Sequence, residues 1–244
     1  MKKLALIRRV IRALNPWRPH WGMMTAWDEH HGYFKISYAQ HGEDLVLHAL
    51  LSNGAHKINW FGFYVDVGAF HPEKYSNTFL FYRQGWRGIN IEADPQAMEA
   101  FNCNRTRDLN LSLGISNQAG YRDLFIFQAA AYNTFSEEVA KSYQQQGEIL
   151  VKKESVKTVR LEQVLDEHLP VGQKIDFLSV DVEGLDLEVL ESNNWEKYQP
   201  LFVLVESHSL DIKQIIDSEL YRFMSSQGYK LVSIAAITLI FKKI

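Results

Sequence analysis

The chain has a single cysteine, Cys103, so no intramolecular disulfide can form. The fold must rest on packing and hydrogen bonds, and this composition fits a reducing compartment. A lone thiol reads as a buried or idle side chain rather than a nucleophile, because the activating environment a nucleophile needs is not visible in sequence. Nowhere do ~18 apolar residues run together, so no helical membrane span is expected. The first residues are basic but lack a continuous apolar region and a small-residue cleavage site, so no secretory signal is expected either. Net charge is only −3, which argues against nucleic acid as a general partner. Also missing is a complete G-x-G-x-x-G run. After the first strongly apolar stretch, positions 66–71 read Asp-Val-Gly-Ala-Phe-His, so pyrophosphate binding is poorly supported.

What is present is enough for a large core. The 244 residues are 46% hydrophobic and 23% charged, ordinary values for one globular domain. The charge is unevenly placed. Lys2, Lys3, Arg8, Arg9, Arg12 and Arg18 all precede the first acid, Asp28, which leaves 20 basic against 29 acidic residues, a balance of −9. Residues 1–21 therefore read as a separate segment, with 22–244 as the folded domain. Leu4, Ile7, Val10, Ile11 and Leu14 recur at helical spacing opposite the arginines, and Pro16 and Pro19 end the pattern. Residues 1–18 suit peripheral contact with an anionic membrane surface, or packing on the chain's own domain. The corresponding location is the cytoplasm, at the inner face of the membrane in the first case.

From Tyr64 onward, apolar runs alternate with helical patterns, the mark of a parallel α/β sheet. The spacing predicts strands at 63–67, 88–92, 109–113, 175–181, 201–206, 229–234 and 237–242. Helices are expected within 37–51 and near 75–84, 95–102, 136–146, 160–168, 185–192 and 211–227. Gln40, Glu43 and Asp44 cluster where the first of these begins, which suits capping. The last two strands are close enough for an antiparallel hairpin, giving a seven-stranded, mostly parallel sheet with helices on both faces. The stretch 129–157 lacks a strong strand signal and is expected to be a lid or insertion over the site.

Open parallel sheets bind ligands beyond the carboxyl ends of their strands. Here those ends carry Asp66 and Gly68, Glu92, Asp181 and Glu183, and finally Glu206 with His208. A glycine lets backbone approach a ligand, and an acid after the next strand can accept hydrogen bonds from ribose hydroxyls. A nucleoside cofactor without pyrophosphate, such as S-adenosylmethionine (SAM), fits these residues better than a dinucleotide.

The segments Tyr64–Ala69, Asn90–Pro95, Val159–Leu165, Asp176–Gly184 and Val203–Glu206, in this order and spacing, resemble the FkbM family of SAM-dependent methyltransferases. The run Asp181-Val182-Glu183-Gly184 is the most specific piece. Tyr38–Asp44, His71–Thr78 and Gly85–Gly88 resemble one branch of that family, and the first 21 residues lie outside the resemblance. It implies a Rossmann-like class I methyltransferase fold and O-methylation of a carbohydrate, glycoconjugate or natural product. Asp66, Gly68 and Ala69 would line the methionine part of SAM. Glu92 would hold the ribose, Ala93 would lie near adenine, and Ser116 would face the adenine edge. Gln40 and Asp44 join these cofactor ligands. Phe70-His71 stands where the family often has asparagine, a departure that leaves the roles of both positions open.

A sugar hydroxyl is a poor nucleophile near neutral pH, so a base or a metal should assist. His71 or His208 is a candidate base. Alternatively, Asp181, Glu206 and His208 bind a divalent ion, Mg²⁺ or, with a histidine ligand, Mn²⁺. The catalytic set is thus His71, Asp181 and His208. Tyr75, Ser76, Asn77 and Glu206 are candidate acceptor ligands, although Ser76 and Asn77 are also good helix caps. Two other functions compete: a catalytically idle SAM-binding scaffold in a glycan-assembly complex, and a nicotinamide-dependent oxidoreductase, against which the missing glycines count.

Overall fold

The first predicted strand is buried along its whole length because alternate side chains enter different cores. Phe63, Val65 and Val67 pack with Ile89, Ile91, Leu178 and Val180 on one face. Tyr64 packs with Phe177, Phe202 and Leu204 on the other. Each fully buried side chain of this kind contributes on the order of 1.5–3 kcal/mol, so a register slip would expose or clash an entire face.

The computed structural model describes residues 35–53, 60–207 and 209–244. The basic segment 1–21 and His208 lie outside the described residues. In chain order the first elements are α1 (Glu43–Leu51), β1 (Phe63–Val67), α2 (Phe79–Arg83), β2 (Arg87–Glu92), α3 (Pro95–Asn104) and β3 (Leu109–Ser112). Next come β4 (Gly114–Ile115), β5 (Gly120–Phe127), a 3-10 turn (Ala130–Tyr132), α4 (Glu137–Gln145), β6 (Leu150–Val159) and α5 (Leu161–His168). The remainder is β7 (Phe177–Val180), α6 (Asp186–Glu191), β8 (Phe202–Glu206), α7 (Ile212–Ile216), α8 (Glu219–Ser226), β9 (Tyr229–Ala235) and β10 (Thr238–Lys243).

The main sheet has the order β3-β2-β1-β7-β8-β10-β9. The first five of these strands are parallel, and β10 runs antiparallel to both β8 and β9. This is the expected seven-stranded, mostly parallel α/β sheet. The chain proceeds outward from β1 through β2 to β3, then returns to β7 on the other side of β1. The carboxyl end of β1 is therefore a topological switch point, where crevices open in such sheets.

Two expectations change. The helix expected over 211–227 is two helices, because Ser218 accepts a hydrogen bond from Tyr221 N (3.1 Å) and caps a fresh start. The region around 129–157 is not without strands. β6 fills its end and pairs with β4 and β5 in a separate three-stranded sheet. Lys152, Lys153, Glu154 and Lys157 hide β6 in the sequence, since only Val156 and Thr158 are buried along it.

Candidate active site

A cavity of about 1090 Å³, counting its open mouth, lies at the switch point. Its floor is the turn after β1. Gly68 has φ +78°, and a Cβ there would sit 1.7 Å from the Asp181 carbonyl oxygen. Only glycine satisfies both the left-handed backbone and that approach. The Gly68 and Ala69 amides donate to Ile91 O (2.9 and 3.1 Å), tying the turn to β2. Phe70 follows at φ +55°, a strained setting for a bulky residue.

The Phe70 backbone is held by Glu92, whose Oε2 accepts from Phe70 N (2.8 Å) while Oε1 accepts from Asp94 N (2.8 Å). Each carboxylate oxygen keeps a lone pair for a further donor. Burial raises the Glu92 pKa, and these two amides oppose the rise. Asp66 is buried below the turn. Burial lifts its pKa to about 6, against hydrogen bonds from Thr78 and Ser179 and the charge of Arg105.

On the other side of the cavity stand Asp181, Glu183 and Glu206, each offering a carboxylate oxygen within 4.8 Å of the others. Burial, then repulsion from Glu183 and Asp186, raises Glu206 to about 7. Glu206 Oε2 is buried without a hydrogen-bond partner. Asp181 is raised well above the carboxylate range by burial and by the charges of Glu206 and Glu183. Its side chain still meets solvent, so the crowding of like charge governs its behaviour more than desolvation does. A smaller cleft adjoins here, lined by Glu43, Glu206 and Thr238 and sharing Gln40, Tyr75, Asn77 and Asp181 with the main cavity. Among the described residues, no lysine or arginine lines either space.

The structure thus brings Asp66, Gly68, Ala69, Glu92, Ala93, Gln40, Tyr75, Ser76, Asn77 and Asp181 to one cavity, with Glu206 in the adjoining cleft. Three expected site residues stand elsewhere. Asp44 binds Ser37 Oγ (2.6 Å) and Tyr38 N (2.8 Å) with both oxygens and braces the start of α1. Ser116 donates to Glu188 Oε1 (2.6 Å), which also pairs with Arg122, and its neighbour Ile115 faces the cavity instead. His71 is exposed, and its Nδ1 accepts from Glu73 N (3.1 Å) and Lys74 N (2.9 Å), so the ring caps a turn away from the cavity lining.

Residues of the expected lid, in the segment 130–135 at the tip of the small sheet, complete the wall. Asn133 and Thr134 are among those the sequence suggests for its substrate side, and Phe135 lies beside them. Asn133 Nδ2 donates to Asp94 Oδ2 (3.3 Å), and Thr134 Oγ1 donates to Glu183 O (3.0 Å). Tyr143 donates to the Glu183 carboxylate. The insertion is therefore latched to both the β2 and the β7 loops.

These features fit SAM. Its sulfonium and ammonium charges suit a cavity with acids and no lining cation, and a ribose diol can use the remaining lone pairs of Glu92. Among the described residues no basic side chain lines the cavity, which fits a dinucleotide poorly.

Among curated proteins, none matches the chain in sequence. Solved structures with a similar chain course include the precorrin-6y C5,15-methyltransferase of Geobacter metallireducens, at 12% identity, 82% of this chain, 87% of that one and a TM-score of 0.44. An O-methyltransferase of Bacillus cereus, solved with SAH, is similar at 10% identity over 97% and 96% of the two chains, with a TM-score of 0.39. Aeropyrum pernix fibrillarin, with SAM bound, is similar at 9% identity over 82% and 74%, with a TM-score of 0.40. Family membership rests instead on the sequence, where residues 66–231 match the methyltransferase FkbM domain. With that match spanning most of the chain, including the acids and glycine at the ends of β1, β2, β7 and β8, the protein belongs to the FkbM family of SAM-dependent methyltransferases.

Proposed function

We propose that this methyltransferase transfers the methyl group of SAM to a hydroxyl of a sugar or glycoconjugate. The observation that carries this reading is that the donor cavity and the acidic cleft meet at Asp181, beside Gln40, Tyr75 and Asn77. An acceptor in the cleft can place its oxygen at the donor cavity while amides and carboxylates hold the neighbouring hydroxyls. The Tyr75 ring, 47% exposed, offers an apolar face for a sugar ring.

SAM supplies an electrophilic methyl group on a sulfonium. The protein must align the acceptor oxygen and remove its proton. Alignment of bound reactants is worth about 7–11 kcal/mol in favourable cases. Glu206 is the best-placed proton acceptor. Its affinity for a proton lies near neutrality, at about 7, and its Oε2 is otherwise unpartnered. His71 is not used in this reading, and His208 lies two residues beyond Glu206 in sequence.

A second reading is favoured by the closeness of Asp181, Glu183 and Glu206. Three carboxylates make an all-oxygen donor set suited to Mg²⁺ or Mn²⁺, and an ion held there would acidify a nearby hydroxyl. Residues 1–18 are proposed to bring the enzyme to an anionic membrane surface at the cytoplasmic face.

A labelled-methyl assay against nucleotide sugars and cell-surface glycans, with mass analysis of the product, tests the main reading. Methyl on a sugar oxygen is the expected result, and label on nitrogen or carbon contradicts it. Repeating the assay after exhaustive chelation separates the readings. Unchanged activity favours proton transfer to Glu206, and loss restored by Mg²⁺ or Mn²⁺ favours the ion.

A further inference from the structure

Asp66 is held by donors that are themselves held. Its Oδ2 accepts from Thr78 Oγ1 (3.0 Å), and Ser179 on β7 donates to it as well. Behind Thr78 stands Arg105, whose Nη2 donates to Thr78 Oγ1 (2.8 Å). Behind Ser179 stands Asn77, whose Nδ2 donates to its Oγ (3.2 Å). A threonine hydroxyl has one proton and two lone pairs. With Arg105 on one lone pair, and Ser76 Oγ 3.1 Å away, the Thr78 proton is left for Asp66.

Arg105 is fully buried. Its other bonds run from Nε to Asp108 Oδ2 (3.0 Å), from Nη1 to Pro72 O (2.7 Å) and from Nη2 to Tyr64 OH (2.9 Å). Asp108 also accepts from Tyr64 OH (2.7 Å) and Gly88 N (2.9 Å), so the ion pair is satisfied on both sides. A buried pair of this kind adds little net stability over an apolar packing of similar volume. Its geometry, however, reaches both walls of the site. Thr78 leads to Asp66. Pro72 lies in the loop that carries Phe70, Tyr75 and Asn77 to the cavity.

We propose that Arg105, which touches neither cavity, is a positioning residue for methyl transfer: through Thr78 it orients Asp66, and through the Pro72 carbonyl it fixes the loop that presents Tyr75 and Asn77. The proposal rests on the reading that Asp66 borders the methyl donor. The charged groups that act on Asp66 are Arg105 beyond α3, Asp108 before β3 and Asp181 after β7. The first favours its carboxylate form, and the other two oppose it.

The test is a carboxyl carbon NMR titration of Asp66 in the full chain without ligand, read beside SAM affinity over the same pH range. The wild-type midpoint is expected near 6. Thr78→Val keeps the shape but removes the hydroxyl, and the midpoint should rise by about one pH unit, the size of one hydrogen bond to a charged group. Thr78→Ser keeps the hydroxyl and should restore the wild-type midpoint. Arg105→Lys keeps the charge but loses the fork, and amide exchange across residues 70–78 should quicken by about tenfold or more while β7 and β8 stay protected. An unchanged midpoint in folded Thr78→Val, the same rise in Thr78→Ser, or unchanged loop exchange in Arg105→Lys overturns the proposal. If the midpoint moves but SAM affinity does not follow it, the placement of the donor beside Asp66 fails instead. Should Arg105→Lys not fold, the paired Thr78 variants decide.

Discussion

The two sides of the cavity hold carboxylates in opposite conditions. On the β2 side, Glu92 accepts a backbone amide on each oxygen. On the β7–β8 side, Asp181, Glu183 and Glu206 crowd one another, and Glu206 Oε2 has no partner. A satisfied acid is a rigid fixture, suited to holding a constant ligand such as the ribose of SAM. A crowded acid with an unpartnered oxygen, as at Glu206, is suited to accepting a proton during turnover. Under the proposed function, the difference assigns the sides: the methyl donor at β1–β2 and the acceptor at β7–β8.

The largest effect on this contrast should come from Gly68→Ala. The new Cβ would meet the Asp181 carbonyl oxygen at 1.7 Å, at φ +78°, so both sides must move at once. The left-handed backbone alone costs about 1–2 kcal/mol. A fall in thermal midpoint with SAM affinity reduced by about 100-fold or more is expected. A variant with wild-type melting and SAM titration curves would mean that the turn is not the donor floor.

A smaller effect isolates the crowded side. Glu206 binds protons more tightly when folded, at about 7 against an ordinary 4.5. The folded state therefore holds more protons between those values, and this residue makes stability fall as pH rises through that window. Glu206→Gln removes the charge. It should raise the melting temperature at pH 8, by about 2–4 °C per kcal/mol of repulsion relieved, and change it little at pH 4, where Glu206 is protonated in both states. An equal effect at both values would show that the carboxylates do not crowd as described.

The legible part of the molecule was the part with a strong local pattern. β1, β2, β7 and β8 are covered on both faces, so their apolar runs announced them, and the acids at their ends could be assigned to one edge. The small sheet was illegible because β6 buries only Val156 and Thr158 amid lysines and a glutamate. Asp44 and Ser116 matched expected positions in the chain, but their partners are set by tertiary packing. Ser116 meets Glu188 across 72 residues, and no local spacing reveals that. His71 could not be told from a base by sequence, since its capping of the 71–74 turn depends on ring orientation. Arg105 and Thr78 lie 27 residues apart, so the support behind Asp66 became visible only in three dimensions.

The division of labour between the two sides is tested most directly by titrating SAM into Glu92→Gln and Glu206→Gln side by side. Glutamine at 92 must turn an amide group toward Phe70 N or Asp94 N and lose a charged hydrogen bond. Its SAM affinity should fall by about 10–100-fold, corresponding to roughly 1.5–3 kcal/mol. Glu206→Gln should bind SAM within about threefold of wild type, since only a distant charge is removed. Equal losses in the two variants, or a larger loss at Glu206, would contradict the assignment of the donor to the β1–β2 side.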